Sequence, residues 1–109
     1  DSTCRRIAEG GDFGLEIERV SARHAVSFDP QCIELIRASA YKLGIPSRDM
    51  HSGAGHDACH LAKAAPTGMI FVPCKDGISH NERESARPED LAAGCDVLMQ
   101  AMLARAGVA

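Results

Sequence analysis

The strongest constraint on the fold of this chain is an unbroken apolar run over residues 69–73, which follows Gly68 and precedes a polar loop. An apolar run of this length between chain breakers is typical of a strand that is buried on both faces. Such strands occur in open sheets covered by helices, where ligands bind beyond the carboxyl ends of the strands. Since the following loop contains His80, we expect one imidazole at that edge of the sheet.

The rest of the chain alternates between helical and extended patterns. Helical patterns cover residues 3–9, 30–43, 58–65 and 88–106, and alternating apolar and charged residues predict a strand over 15–20. The predicted buried face of the last helix consists of Leu91, Cys95, Leu98, Met99, Met102 and Leu103. This alternation favours an α/β layered architecture, with a boundary between residues 20 and 28 where the strand character changes.

Charge and cysteine content exclude several classes of protein. The chain has 109 residues and a net charge of −3, so it lacks the basic patches expected of a protein that binds nucleic acid or anionic membranes. No apolar stretch approaches the ~20 residues needed to span a bilayer. The five cysteines are Cys4, Cys32, Cys59, Cys74 and Cys95. Their odd number and wide spacing indicate free thiols in a reducing cytoplasm rather than disulfides or a structural zinc site.

A glycine-rich turn over residues 52–58 is the first candidate site. Gly53 and Gly55 allow backbone N–H groups to approach a ligand at the start of the predicted helix, where the helix dipole favours an anion such as a carboxylate. His56 and Asp57 can donate protons, accept them, or orient a reacting group. The alternative is a tight turn in which Ser52 or Asp57 caps the helix, and the spacing alone leaves both interpretations open.

Histidines provide the second candidate. His56 and His60 have the spacing of the H-E-x-x-H zinc motif, but Asp57 replaces its glutamate and no third ligand follows at a known spacing. We therefore predict that His60 is a surface or packing residue. His80 lies between Ser79 and Asn81, and its imidazole suits zinc and similar ions, although an exposed loop histidine has the same local sequence.

Four segments in this order resemble one family, the hydantoinase/carbamoylase amidohydrolases. They read S-G-A-G-H-D-A over 52–58, P-T-G-M-I-F-V-P over 66–73, D-G-I-S-H-N over 76–81 and P-E-D-L-A-A-G over 88–94. The family includes N-carbamoyl-L-amino-acid hydrolases, β-ureidopropionases and allantoate amidohydrolases, and it is related to zinc aminoacylases and carboxypeptidases. The resemblance covers residues 27–106 well and the first 26 loosely. Glu82, Ser85 and Arg87 depart from the family pattern of a proline, an aromatic residue and a helix-capping serine or threonine.

The resemblance implies a fold and a domain organisation. Residues 1–27 would be the end of an inserted α+β lid and dimerisation domain, and residues 28–109 the C-terminal part of a zinc-peptidase-like catalytic α/β domain. Family members are several-fold longer than this chain, so an N-terminal catalytic segment would be its partner. A cytoplasmic homo-oligomer is expected.

The resemblance also implies a chemistry, the cleavage of the carbamoyl C–N bond of N-carbamoyl amino acids or similar ureido acids. The family uses two divalent ions, zinc, manganese or nickel, and His80 would be their last ligand. The other ligands and the acid that activates water would lie in the N-terminal segment, so the 109 residues alone should be inactive. The residues expected to line the substrate site are Gly53, Gly55, His56, Asp57, Ser79 and Asn81. The alternatives are a non-catalytic α/β assembly or binding module and an aminoacylase- or carboxypeptidase-type relative.

Overall fold

The computed structural model describes residues 1–11 and 13–108, so Asp12 and Ala109, one in each predicted domain, lie outside it. Its helices are α1 (Ser2–Gly10), α2 (Pro30–Lys42), α3 (Ala58–Leu61) and α4 (Pro88–Ala106), with a 3₁₀ turn at Lys75–Gly77. The predicted bounds of the last helix are confirmed, whereas the third helix is a single turn and does not extend to residue 65. Within the described ranges, no helix is both long and apolar enough to cross a membrane.

The start and end of α2 follow from its flanking residues. The Asp29 carboxylate accepts a hydrogen bond of 2.9 Å from the backbone N–H of Cys32, and Pro30 is the first helical residue. The carboxylate satisfies one of the free N–H groups of the first helical turn, and proline has no N–H that would be left unpaired there. At the other end Gly44 has a left-handed φ of 68°, and the Ile45 N–H donates to the Ala40 carbonyl at 2.9 Å. The sequence prediction for this helix is confirmed.

The Asp29 cap makes the stability of α2 dependent on pH. The hydrogen bond from the Cys32 N–H holds the pKa of Asp29 below its usual value. The cap therefore stabilises the folded state above the unfolded pKa of about 4, and this contribution is lost as the pH falls further. We expect Asp29→Asn, which keeps an acceptor oxygen, to flatten this acid dependence in urea titrations followed by circular dichroism. An equally steep decline in the variant would contradict the assignment.

The main core lies between α2 and α4, which pack against each other. Its buried residues are small: Ala40 is 2% exposed, Val97 is 4% exposed, and Ser39 and Ala101 are also buried. The Ser39 hydroxyl donates to the Leu35 carbonyl one turn earlier, at 2.7 Å, so its burial leaves no unpaired polar group. Small side chains allow the two helices to approach closely.

The buried face predicted for α4 is wrong for the 109-residue chain. Leu98 is 50% exposed and Met102 is 63% exposed, whereas Val97 and Ala101 face the core. The helix is apolar on two sides, so the spacing of its apolar residues cannot decide which side meets α2. We call the exposed apolar residues the open face of α4; they are all six of the predicted buried face, Leu91, Cys95, Leu98, Met99, Met102 and Leu103.

Neither predicted strand is formed within residues 1–11 and 13–108. The apolar run and the glycine before it nevertheless lie close to both long helices. A Cβ built on Gly68 would be 2.9 Å from Ile36 Cδ1 of α2, and a Cβ built on Gly94 of α4 would be 2.6 Å from Val72 Cγ1 of the run. The Asp29 N–H also donates to the Thr67 carbonyl at 2.9 Å. The run is thus covered by helices on one side, but a strand requires hydrogen bonds to a neighbouring strand, and no such neighbour lies among the described residues.

The chain is more extended than a compact domain of the same length. Its radius of gyration is 19.8 Å, compared with about 13 Å for a compact domain of this length. No side chain in the described ranges is less than 2% exposed. One helix pair with one apolar segment therefore constitutes most of the packed interior.

All five cysteines are free, as the sequence predicts. Burial, assisted by the nearby Asp29 carboxylate, raises the pKa of the Cys32 thiol. Because the thiolate is the reactive form, we expect a thiol reagent at neutral pH to label the exposed Cys4 and Cys95 before Cys32. Mass spectrometry of partially labelled protein would show the order. Labelling of Cys32 first would contradict this part of the structure.

Candidate metal and substrate site

The glycine turn holds His56 through a local hydrogen bond. Ser52 Oγ lies 2.6 Å from His56 Nε2, and the Ala54 N–H donates to the same Oγ at 3.2 Å. The capping interpretation is wrong, since Ser52 bonds within the turn and the Asp57 side chain makes no cap hydrogen bond to α3. Because α3 is a single turn, its dipole gives little support to the predicted anion site.

The loop that contains His80 begins with a type I′ turn. Asp76 has φ 56° and ψ 16°, Gly77 has φ 68°, and the Ile78 N–H donates to the Lys75 carbonyl at 3.1 Å. An Asp-Gly pair is a strong signal for this turn, because both central residues need a positive φ. The Asp76-Gly77 pair is therefore a sequence signal for the sharp reversal before His80, in addition to the features considered above.

His80 itself has a left-handed backbone with φ 55°. A non-glycine residue adopts this conformation only when its surroundings hold it there. The His80 N–H donates to the Glu84 carboxylate at 2.7 Å, and the Glu84 N–H donates to the Asn81 carbonyl at 2.9 Å. The Lys75 N–H donates to the Ser85 carbonyl at 2.7 Å and closes the loop. The imidazole is thus carried by a hydrogen-bonded loop.

The turn and the loop bring their histidines together. The ring centroids of His56 and His80 are 6.2 Å apart, and the planes are tilted by 43°. Phe71, from the apolar run, meets His56 edge-on with centroids 5.4 Å apart. Three segments that are distant in sequence therefore converge at one place, next to the end of the apolar run.

The other predicted site residues lie beside the two histidines in sequence and make no hydrogen bond to either ring. They are Gly53, Gly55, Asp57, Ser79 and Asn81, and all are exposed. The Asn81 side chain accepts from the Arg83 N–H at 3.0 Å, so its role in the structure is to shape the loop. Arg23, which the sequence analysis missed, lies with Nη1 3.3 Å from the position of a Cβ on Gly55. No motif or periodicity in residues 21–28 indicates that Arg23 lies near the glycine turn.

Arg87, where the sequence analysis expects no helix-capping side chain, makes no cap hydrogen bond to α4. Arg87 instead donates two hydrogen bonds to the Asp90 carboxylate, from Nε at 2.8 Å and from Nη2 at 2.9 Å. The guanidinium lowers the pKa of Asp90, and the carboxylate raises that of Arg87. Acidic side chains in the first turn favour a helix start, and α4 begins at Pro88 as predicted.

The residues present fit part of a metal site. The His80 imidazole is a suitable ligand for zinc and similar ions. No group of three or more metal-binding side chains occurs in residues 1–11 and 13–108, which also leaves the His56–His60 pair without a third ligand. At least two further ligands are therefore required from elsewhere for a four-coordinate centre.

Comparisons with known proteins agree on one family. Residues 9–104 match peptidase family M20/M25/M40. The chain is 48% identical over 108 residues to the N-carbamoyl-L-amino-acid amidohydrolase of Rhizobium meliloti, covering 99% of the chain and 26% of that protein. It is 35% identical over 98 residues to the allantoate amidohydrolase of Escherichia coli, covering 90% of the chain and 24% of that protein.

A solved structure gives the same result. The chain superposes on a hydantoinase/carbamoylase family amidase from Burkholderia multivorans with a TM-score of 0.86 and 50% identity. The match covers 95% of this chain and 25% of that structure. The chain thus spans about a quarter of the length of these relatives, and the helical arrangement described above is that of the corresponding quarter.

Proposed function

Because the chain belongs to peptidase family M20/M25/M40, we propose that it forms the C-terminal part of a metal-dependent amidohydrolase that cleaves N-carbamoyl amino acids or similar ureido acids. The observation that supports this most is the convergence of His56 and His80 beside Phe71. Two imidazoles at the end of an apolar segment provide a polar site on a packed scaffold, as catalysis requires. Enzymes of this family are generally metal-dependent.

The proposal includes the domain organisation. Residues 28–109 would belong to a catalytic α/β domain in which 68–73 is a sheet strand, and residues 1–27 to the end of a lid and dimerisation domain. Two observations support it: α2 and α4 cover one side of the apolar run, and its edges lack a partner among the described residues. The open face of α4 would be covered by the remainder of that domain.

In the proposed mechanism each imidazole has its own role. His80 would hold one of two divalent ions, zinc, manganese or nickel, which when bound polarise a carbonyl and acidify a water molecule. His56, with Gly53, Gly55, Asp57, Ser79 and Asn81 around it, would bind and orient the ureido acid. The hydrogen bond from the backbone N–H of His80 to Glu84 would hold the backbone that carries the imidazole.

The same proposal specifies partners and location. The chain would act with an N-terminal catalytic segment, in a homo-oligomer assembled through the lid domain. Its five free thiols support a location in the reducing cytoplasm.

A chimera tests the proposed function. The 109 residues would replace the matched quarter of the Rhizobium meliloti enzyme, and hydrolysis of N-carbamoyl-L-amino acids and of allantoate would be measured by release of ammonia. We expect hydrolysis by the chimera and none by the 109 residues alone, since one histidine cannot hold the ions. Activity of the isolated chain would show that the assumed ligand set is wrong. A preference for N-acyl amino acids or peptides, followed by release of the free amino acid because these substrates give no ammonia, would favour the aminoacylase or carboxypeptidase alternative.

The non-catalytic alternative is supported by the open face of α4, because helices with large exposed apolar side chains are usually interaction surfaces. Light scattering of the chimera and of the isolated chain measures their oligomeric state, and self-association of the isolated chain is the result expected of an assembly module. A folded chimera that neither binds metal nor hydrolyses any ureido acid would favour an assembly module.

A further inference from the structure

The Ser52 hydroxyl is the one polar side chain of the described residues that bonds directly to an imidazole of the candidate site. Its Oγ is 2.6 Å from His56 Nε2, across the four-residue spacing of the glycine turn. This is within the short range of hydrogen bonds made by hydroxyl groups. Nothing in the proposed function assigns Ser52 a role.

The other contacts of the hydroxyl bear on the direction of this hydrogen bond. The Ala54 N–H donates to Ser52 Oγ at 3.2 Å and occupies one of its two acceptor lone pairs. The hydroxyl also has one proton to donate, and among the described residues His56 Nε2 is the acceptor within hydrogen-bond distance of it. When Nε2 accepts this hydrogen bond, the single N–H proton of the neutral ring is on Nδ1.

We propose that Ser52 is a positioning residue that fixes His56 as the Nδ1–H tautomer. The ring is then a hydrogen-bond donor to an acceptor oxygen of the ligand, such as a carboxylate or carbamoyl oxygen. Nε2 is occupied by the hydroxyl and is not a metal ligand. The two imidazoles, 6.2 Å apart, therefore have different roles: His80 binds an ion, and His56 contacts the organic ligand.

The surroundings of the ring agree with a fixed orientation. Phe71 meets His56 edge-on, with centroids 5.4 Å apart and planes at 65°, and so limits rotation of the imidazole. Arg23 is the charged side chain that approaches this turn, with Nη1 at 3.3 Å from the position of a Cβ on Gly55. A cation there favours an anionic ligand, and its charge lies close enough to the turn to attract one.

The test is the nitrogen NMR signature of His56 in the 109-residue chain, which requires neither metal nor activity. The protein, labelled with ¹⁵N at histidine, would be studied well above the ordinary imidazole pKa of about 6.5, where the ring is neutral. We expect Nε2 of His56 to give the signal of an unprotonated nitrogen and Nδ1 that of a protonated one. Ser52→Ala should return the ring to a mixture of tautomers.

Two variants separate this role from a general effect on folding. Ser52→Thr keeps the hydroxyl and should restore the single tautomer, and Ser47→Ala, at an exposed serine outside the turn, should leave it unchanged. Circular dichroism checks that α2 and α4 remain folded in each variant. A protonated Nε2 in the unmodified chain, or the same tautomer in Ser52→Ala, would overturn the proposal.

The role assigned to His56 in ligand binding rests on the proposed function, and the chimera tests it separately. Ser52→Ala should raise the KM for an N-carbamoyl-L-amino acid at least several-fold, and its effect on kcat should be smaller than its effect on KM. Ser52→Thr should restore the original KM. An inactive chimera would contradict the proposed function but not the tautomer. An unchanged KM in a chimera whose tautomer does shift would contradict the role of His56 alone.

Discussion

Replacing His80 by alanine in the active chimera is expected to reduce hydrolysis of an N-carbamoyl-L-amino acid by more than a hundredfold. Even residues that only orient a metal ligand cost about 10- to 100-fold in metal affinity or activity when they are replaced, so loss of the ligand itself should cost more. The His80 N–H is backbone and its bond to Glu84 survives the substitution. Steady-state rates of ammonia release, with zinc, manganese or nickel supplied in turn, measure the effect.

Two histidines of the same chain provide matched controls. His51 precedes the glycine turn and His60 lies on α3, and both are exposed. Alanine at either position should leave the rate within about twofold of the chimera, as expected of surface substitutions whose effects stay within about 0.5 kcal/mol. A His60→Ala variant as inactive as His80→Ala would instead favour the paired-histidine motif that we set aside.

The largest effect on stability is expected from Val97→Asp. Val97 is 4% exposed in the core between α2 and α4, and an unpaired charge left in such a place costs about 3–5 kcal/mol. We expect the free energy of unfolding of the 109-residue variant to fall by this amount, which is a large share of the about 5–15 kcal/mol by which small domains are stable. Urea denaturation followed by circular dichroism gives the difference in free energy of unfolding.

The neighbouring residue provides the control and tests the domain proposal. Leu98 is 50% exposed on the open face, so Leu98→Asp should change the stability of the isolated chain by no more than about 0.5 kcal/mol. In the chimera the same change should be severely destabilising if the open face is covered as we propose, because a charge would then be buried there. A chimera that tolerates Leu98→Asp would contradict the proposed packing.

The bounds of the long helices could be predicted because local chemistry decides them. Asp29 and Pro30 begin α2, while Pro88 begins α4 and Gly107, with φ 73°, ends it. These residues act on the hydrogen bonds of the nearest turn, so their effect is independent of the rest of the fold.

Interactions between distant segments could not be predicted in the same way. The apolar residues of α4 occupy two faces, and only the packing on α2 shows that Val97 and Ala101 are the buried ones. A strand requires hydrogen bonds to a neighbouring strand, and none lies among the described residues, so the strands predicted from the apolar and alternating patterns are not formed there. The third helix was predicted too long, because the alanines before Pro66 favour a helix locally but have little to pack against.

The candidate site was partly visible in the sequence. Composition and spacing singled out the turn and the loop as separate features, and the family resemblance placed them in one centre. The 6.2 Å separation of His56 and His80 depends on tertiary structure and had no local signal. The Ser52–His56 hydrogen bond could have been suspected from their spacing, but the capping interpretation of Ser52 was considered first.

The most direct test of the central claim, that His80 completes a metal centre with ligands from outside these 109 residues, is the metal content of the purified chimera. Elemental analysis after dialysis should find two divalent ions per chain in the chimera, one fewer in His80→Ala, and none bound tightly to the isolated 109 residues. An unchanged metal content in His80→Ala would contradict the account, because the ion would then be held without the residue assigned to it.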